Sequence, residues 1–528
     1  MTTAVRRLSA TPLSVVSTGV AALVCLPAIY VAWLALSAQA SLWSRLWQTR
    51  IPELLWNTAW LAVGVAIATL LLGVSLAWLV TRYEFPGRRF WEWALVLPLA
   101  MPTYVLAYVY AYLLGFGGPI EQLWQMWAGP QARVFSPQSY AGATLVMTLD
   151  TFPFVYLLTR AALLNFNVSF EEVARSCGAS RWRTIVRVTL PLIRPAIVAG
   201  LSLVILYVVS DFGAVSLLRY QTFTYAVYQQ MTGRFDYSAA GVLSLLLVLF
   251  ALLFLVTERW FRERSRFYQT TGRFRPPKRK VCGVPGAAVV TTYLALALGA
   301  AFGVPAFLLA KWSVSAIAEG AVDMRFFGFV WNSVVLSGLA ATVAVLIGTP
   351  LAYLATRRPS RLNLLCLQAA YAGYVVPGPV AALALLALVS QFAPFWYGGV
   401  AVLIMAYVIH FLPAGLQTME PSLQQVTPNL EEASRSLGLS PLRSFARITL
   451  PLVSGGFMAA WILMFLQSMK ELPATLLLRP VGFDTLAVRV WLEASEEYYQ
   501  LAAPSALLIV LMALPALLLL VSKDWRAA

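Results

Sequence analysis

Twelve predominantly apolar runs, separated by short polar stretches, divide the chain at about 13–36, 55–80, 92–114, 140–163, 194–218, 239–257, 285–310, 330–356, 364–391, 398–418, 454–478 and 501–522. Each is close to the roughly 20 residues that cross a bilayer as a helix. Several contain Pro or Gly, which spanning helices tolerate where neighbours satisfy the freed backbone. The pattern predicts an all-α polytopic membrane protein of twelve helices. Composition agrees, with 60% hydrophobic and only 11% charged residues and a mean hydropathy of +0.75, against roughly a quarter charged in a soluble domain.

The polar stretches set the orientation. With the N-terminus in the cytoplasm, 28 of the 38 Lys and Arg fall on the inner side, at the N-terminus (Arg6, Arg7), 82–89, 160–194, 259–280, 357–361, 435–447 and the C-terminus. The positive-inside rule therefore places both termini in the cytoplasm. The net charge of +16 expresses this topology and contact with anionic lipid rather than nucleic-acid binding through "RFRPPKRK". The first run ends near "SAQA", which looks like a signal-peptidase site. It is longer than the roughly 7 to 15 apolar residues of a signal peptide, and its loss would make the helix count odd, so it is read as an uncleaved helix. Cys25, Cys177, Cys282 and Cys366 show neither a disulfide framework nor metal-ligand spacing.

One polar stretch occurs twice. "EEVARSCGASRWRTIVRVTLPL" (171–192) and "EEASRSLGLSPLRSFARITLPL" (431–452) share 12 of 22 positions at an offset of 260. Trp56-Asn57 and Thr81-Arg82 match Trp331-Asn332 and Thr356-Arg357 at an offset of 275. The extra residues of the first copy fall in the outer segment "GFGGPIEQLWQMWAGPQARVFSPQ". The chain thus reads as a first half (1–257), a basic cytoplasmic linker (258–284) and a second half (285–528). Each half has six helices, and an even number gives both the same orientation, the parallel arrangement that builds a pathway between repeats.

Capping and turn residues make each copy a folded knob. Ser169-Phe170-Glu171-Glu172 has the S-x-x-E form of a capping box, and Asn429-Leu430-Glu431-Glu432 the related N-x-x-E form. Gly178 and Gly438 suit a left-handed turn. Ser180 and Ser440 follow as caps of a second short helix, with Pro441 at its first position. Arg183 and Arg187, like Arg443 and Arg447, share a face, and Leu-Pro at 190–191 and 450–451 introduces the next span. Capping alone accounts for the residue types. It does not account for one loop kept twice while the flanking spans drift, which a docking element for a two-fold partner does.

Glu172-Val173-Ala174, Gly178 and Val188-Thr189-Leu190-Pro191 resemble the EAA loop of permease subunits in binding-protein-dependent ABC importers. Glu432-Ala433-Ser434, Gly438 and Ile448-Thr449-Leu450-Pro451 resemble it again. Val173, Ser434 and Val188 depart mildly from the motif. The resemblance spans nearly the whole chain as two fused permease halves with EAA loops at 169–191 and 429–451. It implies that Glu171, Glu172, Ala174, Gly178, Leu190, Pro191, Glu431, Glu432, Ala433, Gly438, Leu450 and Pro451 couple to two copies of an ABC ATPase. The chain has no G-x-x-x-x-G-K-[ST] loop, so ATP and Mg²⁺ are expected on those partners, with no cofactor bound here and no enzymatic activity of its own.

Cargo must be read from intramembrane polar groups. At the offset of 260, Asp211 matches Glu471 and Asp150 matches His410. A charge near the bilayer centre costs about 2.5 to 3.5 kcal/mol on the insertion scale and usually faces a bundle interior or watery cavity. "YVVSDFGAVSLLRYQTF" (207–223) and "MKELPATLLLRPVGFDTLAVRVW" (469–491) resemble segments of ferric iron permeases in the same importer class. That resemblance implies a periplasmic ferric-iron-binding protein as outer partner and a bacterial inner membrane as location. A hard trivalent cation prefers oxygen ligands, so transient Fe(III) contact is expected at Asp211 and Glu471, with no tightly bound metal. Against this stands a folding role, in which Asp211 caps a helix break before Gly213 and Glu471 pairs with Lys470 or another helix. Asp150 and His410 precede Pro153 and Pro413 and are read as satisfying broken-helix backbone. Tyr104, Tyr108, Tyr110 and Tyr112 are read as packing rather than as phenolate ligands. Thiamine, phosphonate, polyamine or sulfate are alternative cargoes. An ion-coupled secondary carrier would explain intramembrane charges but not duplicated knobs, and no nucleophile–base constellation points to a membrane enzyme.

Overall fold

The computed structural model describes residues 12–263, 279–374 and 376–527. Arg6, Arg7 and most of the linker's basic run lie outside them. Among the described residues ten helices are long and apolar enough to cross a membrane, and two shorter apolar helices, Gly378–Phe392 and Tyr499–Pro515, bring the expected positions to twelve. Two spans end earlier than the apolar pattern implies. The helix Leu190–Ser210 stops at Asp211, and Leu450–Met469 stops at Lys470; short helices Gly213–Leu217 and Pro473–Leu478 follow. Asp211 and Glu471 therefore stand at helix breaks, not within continuous spans. Conversely, Tyr140–Leu164 and Val400–Gln425 run unbroken through Pro153 and Pro413, so Asp150 and His410 do not serve helix breaks there.

The chain packs as two compact units that cut across the expected halves. One contains the described chain up to Trp43, Val227–Val248 and Asp323–Arg489; the other contains Ser44–Ala226, Leu249–Val322 and Val490 onward. The halves are thus repeats of sequence but not units of packing. In the first unit, Pro12–Leu36 packs on Met324–Arg357, Arg361–Tyr371 and Gly378–Phe392. In the second, Val304–Ala318 packs on Tyr499–Ala527. An apolar helix carries no mark of which partner it will cover, so this assignment depends on tertiary packing alone.

Each unit has the same three-helix centre. Ile51–Arg82, Tyr140–Leu164 and Leu190–Ser210 pack together in one, and Met324–Arg357, Val400–Gln425 and Leu450–Met469 in the other. Small residues permit the close approach, as is usual between membrane helices. A Cβ on Gly73 would lie 2.8 Å from Val155 Cβ, and one on Gly200 would lie 2.9 Å from Val155 Cα. In the other centre Leu336, Ala340, Ala341 and Ala344 are buried against Leu412, Leu416, Met464 and their neighbours. Leu71 and Leu346 remain exposed on these central helices, and Ile29 and Phe307 on Pro12–Leu36 and Val304–Ala318, as suits a hydrocarbon solvent. The only strands among the described residues are Tyr83–Glu84 and Lys280–Val281, paired in parallel with Tyr83 opposite Lys280. The extra outer segment folds partly as the helix Pro119–Ala128.

Candidate functional site

The two knobs share one construction. The first is the helix Ser169–Ser176, a turn at Gly178, the short helix Arg181–Thr184 and a wide turn at Ile185–Thr189 leading into the membrane helix. The second repeats it with Pro428–Ser436, Gly438, Pro441–Ser444 and Phe445–Thr449. Gly178 and Gly438 have φ of 84° and 90°, left-handed values that glycine adopts without a Cβ penalty. The helix ends close through Gly178 N–H to Arg175 O at 2.9 Å and Ala179 N–H to Ala174 O at 3.0 Å, with equivalent bonds at Gly438 and Leu439, the paired closure of a Schellman motif. Ser180 and Ser440 accept hydrogen bonds from Arg183 N–H and Arg443 N–H.

The capping boxes do not form. Ser169 is already helical, and its N–H donates to Asn167 Oδ1 at 3.1 Å. In the second knob Pro428 starts the helix one residue ahead of Asn429, after Thr427, whose side chain makes no cap bond. An upstream amide in one case and a proline in the other displaced the S-x-x-E and N-x-x-E readings.

The adjacent glutamates of each copy separate. Glu172 and Glu432 are exposed, with Gly178, Ala433 and Gly438, while Ala174, Leu190 and Pro191 are half-buried and Leu450 and Pro451 lie exposed. Trp182 and Leu442, equivalent by the repeat, are 73% and 78% exposed. The sequence reading missed this pair, whose signal was two apolar residues at one position of an otherwise polar segment. Exposed large apolar side chains on a polar knob are a mark of an interaction surface.

Glu171 and Glu431 turn inward and are buried. Glu171 Oε1 accepts from Arg82 Nη2 at 2.6 Å and from Thr189 Oγ1 at 2.8 Å, while Arg175 lies 3.6 Å from its other oxygen. Glu431 Oε1 accepts from Arg357 Nε at 3.1 Å and from Thr449 Oγ1 at 2.8 Å, with Arg435 again at 3.6 Å. One position is used differently. Trp78 lies under the Arg82 guanidinium, 5.0 Å away, whereas Tyr353, at the equivalent place, donates to Glu431 Oε2 at 2.7 Å. Burial pushes the Glu431 carboxyl up, but the hydrogen bonds of Tyr353 and Thr449 and the Arg357 guanidinium outweigh it and hold the group below its ordinary value.

The intramembrane carboxylates are held locally. Asp211 Oδ1 accepts from Thr103 Oγ1 at 2.7 Å, and Oδ2 accepts from Ala214 N–H at 3.0 Å and Val215 N–H at 3.3 Å. The carboxylate thus caps the short helix that follows the break. Asp150, Asp211 and Thr103 all lie within electrostatic or hydrogen-bonding reach of Tyr207, so one unit gathers Asp150, Tyr207, Thr103 and Asp211. In the other unit Glu471 Oε1 accepts from Ala474 N–H at 3.0 Å. A Cβ on Gly378, the equivalent of Thr103, would stand 3.2 Å from that oxygen. His410 lies within electrostatic reach of Glu471, and His410 Nδ1 is buried without a hydrogen-bond partner among the described residues. Of the tyrosines, Tyr110 donates to Ala300 O at 2.9 Å, and Tyr108 and Tyr112 pack against Trp312 and Tyr499. No group of three His, Cys, Asp or Glu side chains converges among the described residues.

Two repeated helical bundles of membrane-spanning length, each with the same folded knob between matching spans, define a polytopic permease built from two permease repeats. Residues 69–265 and 344–525 match the family described as binding-protein-dependent transport system inner membrane component, and the chain belongs to it. It is 34% identical over 503 residues to the Fe(3+)-transport system permease protein FbpB 2 of Haemophilus influenzae, covering 94% of this chain and 95% of that one. Identity to the ferric transport system permease protein FbpB of Actinobacillus pleuropneumoniae is 24% over 508 residues, covering 88% and 71%. The molybdenum transport system permease protein ModB of Escherichia coli is 31% identical over 225 residues, 41% of this chain but 96% of its own length.

Proposed function

We propose that this chain is the membrane subunit of an ATP-driven ferric iron importer in a bacterial inner membrane, with both termini in the cytoplasm. The observation that carries the reading is likeness along nearly the full length to an Fe(3+)-transport permease. The knobs are its EAA loops, each seated on one of two ABC ATPase subunits. Trp182 and Leu442 supply apolar anchors, and Glu172, Glu432 and the exposed arginines a charged rim around them. ATP and Mg²⁺ belong to those subunits. A periplasmic iron-binding protein delivers cargo to the outer face, and nucleotide-driven closure moves the knobs and, through them, the helices that line the path.

Asp211 and Glu471 attract the cation as it passes. Their carboxylate oxygens suit a hard trivalent ion, and contact is transient because each already serves local backbone donors. A second reading, an oxyanion importer, is favoured by the half-length likeness to the molybdenum permease. Carboxylates at both equivalent positions oppose it, since like charges in a low-dielectric interior repel strongly. Co-expression with the cognate ATPase and binding protein tests the proposal. Native mass of the purified complex should give two ATPase copies per chain, and iron-starved cells should take up ferric iron but not molybdate. One ATPase copy or none, or uptake of molybdate instead, would reject it.

A further inference from the structure

We infer that Arg82 and Arg357 are the positioning residues that transmit knob movement to the membrane helices, each acting through a buried glutamate that joins three elements. This rests on the reading of the knobs as ATPase docking loops. Arg82 is the last residue of the helix Ile51–Arg82, Glu171 lies in the first helix of the knob, and Thr189 immediately precedes the membrane helix Leu190–Ser210. One carboxylate therefore ties the knob to two of the three central helices of its unit, through Arg82 Nη2 at 2.6 Å and Thr189 Oγ1 at 2.8 Å. The second knob repeats the arrangement with Arg357, Glu431 and Thr449.

Stability is a poor reason for such a device. A buried ion pair is often no better than apolar residues of similar volume, because desolvation offsets the Coulombic gain. Its side chains are almost completely hidden, at 11% and 7% exposure in the first pair and 7% and 5% in the second. The other contacts of the two helix-end arginines, moreover, are not copied. Arg82 lies over the Trp78 and Phe166 rings, while Arg357 Nη1 donates to Val426 O at 2.7 Å and Tyr353 bonds Glu431. What both halves keep is the three-way tie itself, with Arg175 or Arg435 beside the glutamate. It makes the knob and the two helices move as one body, which a docking loop needs if force applied to its exposed face is to reach the membrane.

The test uses the purified complex of the full chain with its ATPase subunits in proteoliposomes. Arg82→Gln with Arg357→Gln cuts one arm of each tie while Arg175, Arg435 and the threonines still neutralise and bond the glutamates. Thr189→Val with Thr449→Val cuts the other arm and introduces no uncompensated charge. Both double variants should retain two ATPase copies and unstimulated ATP hydrolysis. Stimulation of hydrolysis by cargo-loaded binding protein, and uptake with it, should fall by about tenfold, within the usual range of coupling between sites, and Arg82→Lys with Arg357→Lys should restore part of it. Wild-type stimulation in both double variants would overturn the inference. Loss of the ATPase subunits in both would overturn it too, by reducing the ties to knob folding. Failure of the unmodified chain to recruit ATPase subunits would instead reject the docking reading underneath.

Discussion

Replacing Asp211 by Ala and by Ser separates its capping role from its charge. The carboxylate accepts three hydrogen bonds, from Thr103 Oγ1 at 2.7 Å and from the N–H groups of Ala214 and Val215 at 3.0 and 3.3 Å. Alanine leaves those donors without their acceptor at a helix break inside the membrane, where an unsatisfied buried polar group costs about 1 to 3 kcal/mol. Since Thr103 can turn its hydroxyl to a nearby carbonyl, the two N–H groups dominate, and about 2 to 6 kcal/mol is expected in all. Serine is a good cap and should stay within about 1 kcal/mol of wild type. Thermal midpoints of the detergent-purified complex should therefore rank wild type close to Asp211→Ser and well above Asp211→Ala. Uptake should separate the variants differently: Asp211→Ser, stable but uncharged, should lose about tenfold in transport, equivalent to about 1.4 kcal/mol. If Asp211→Ala melts with wild type, the capping argument fails. If Asp211→Ser transports at the wild-type rate, the carboxylate has no place in the cargo path.

Glu431 titrates below its ordinary value, so its contribution to stability is present above the unfolded carboxyl value, 4.5, and is lost as pH falls through the lower folded one. The gap in thermal midpoint between wild type and Glu431→Gln should accordingly be widest near neutral pH and close in acid; a gap that widens in acid would reverse the assignment. Gly178→Ala and Gly438→Ala meet no neighbouring atom within 4 Å, so their cost should be the left-handed backbone alone, about 1 to 2 kcal/mol, read as a lowered thermal midpoint that Asn at the same positions largely recovers. Gly200→Ala should destabilise by about 1 to 3 kcal/mol through overpacking against the backbone of Val155. Gly338→Ala, in an open helix interior, should stabilise by about 0.5 to 1 kcal/mol in the same thermal assay.

The sequence made the spans and knobs legible because their signals are local. Apolar length places a membrane helix, and Gly178, Gly438, Ser180 and Ser440 act on residues a few positions away. Two features were hidden because they depend on distant partners. Glu171 and Glu172 are indistinguishable as neighbours in a polar segment; which one turns inward is decided by Arg82, 89 residues earlier. A clue did exist, since Thr81-Arg82 recurs as Thr356-Arg357, but only the fold gives that repeat a purpose. The break at Asp211 was legible as the folding role weighed against cargo contact, whereas the one at Lys470 was hidden within a long apolar run, and the Pro153 and Pro413 positions looked like breaks because the rule for proline in water is stricter than in a packed membrane bundle. Packing of the first helix against the second repeat left no trace in the sequence at all.

In the proposed function, ATP hydrolysed on two subunits beneath the knobs drives ferric iron through this chain. Proteoliposomes holding the purified complex, with iron-loaded binding protein on the outer side and ATP available to the ATPase subunits, measure it most directly. Iron should accumulate inside only when ATP and the loaded binding protein are both present, and should not respond to an imposed proton or sodium gradient. Accumulation driven by such a gradient without ATP, or ATP-driven accumulation of molybdate with none of iron, would contradict the account.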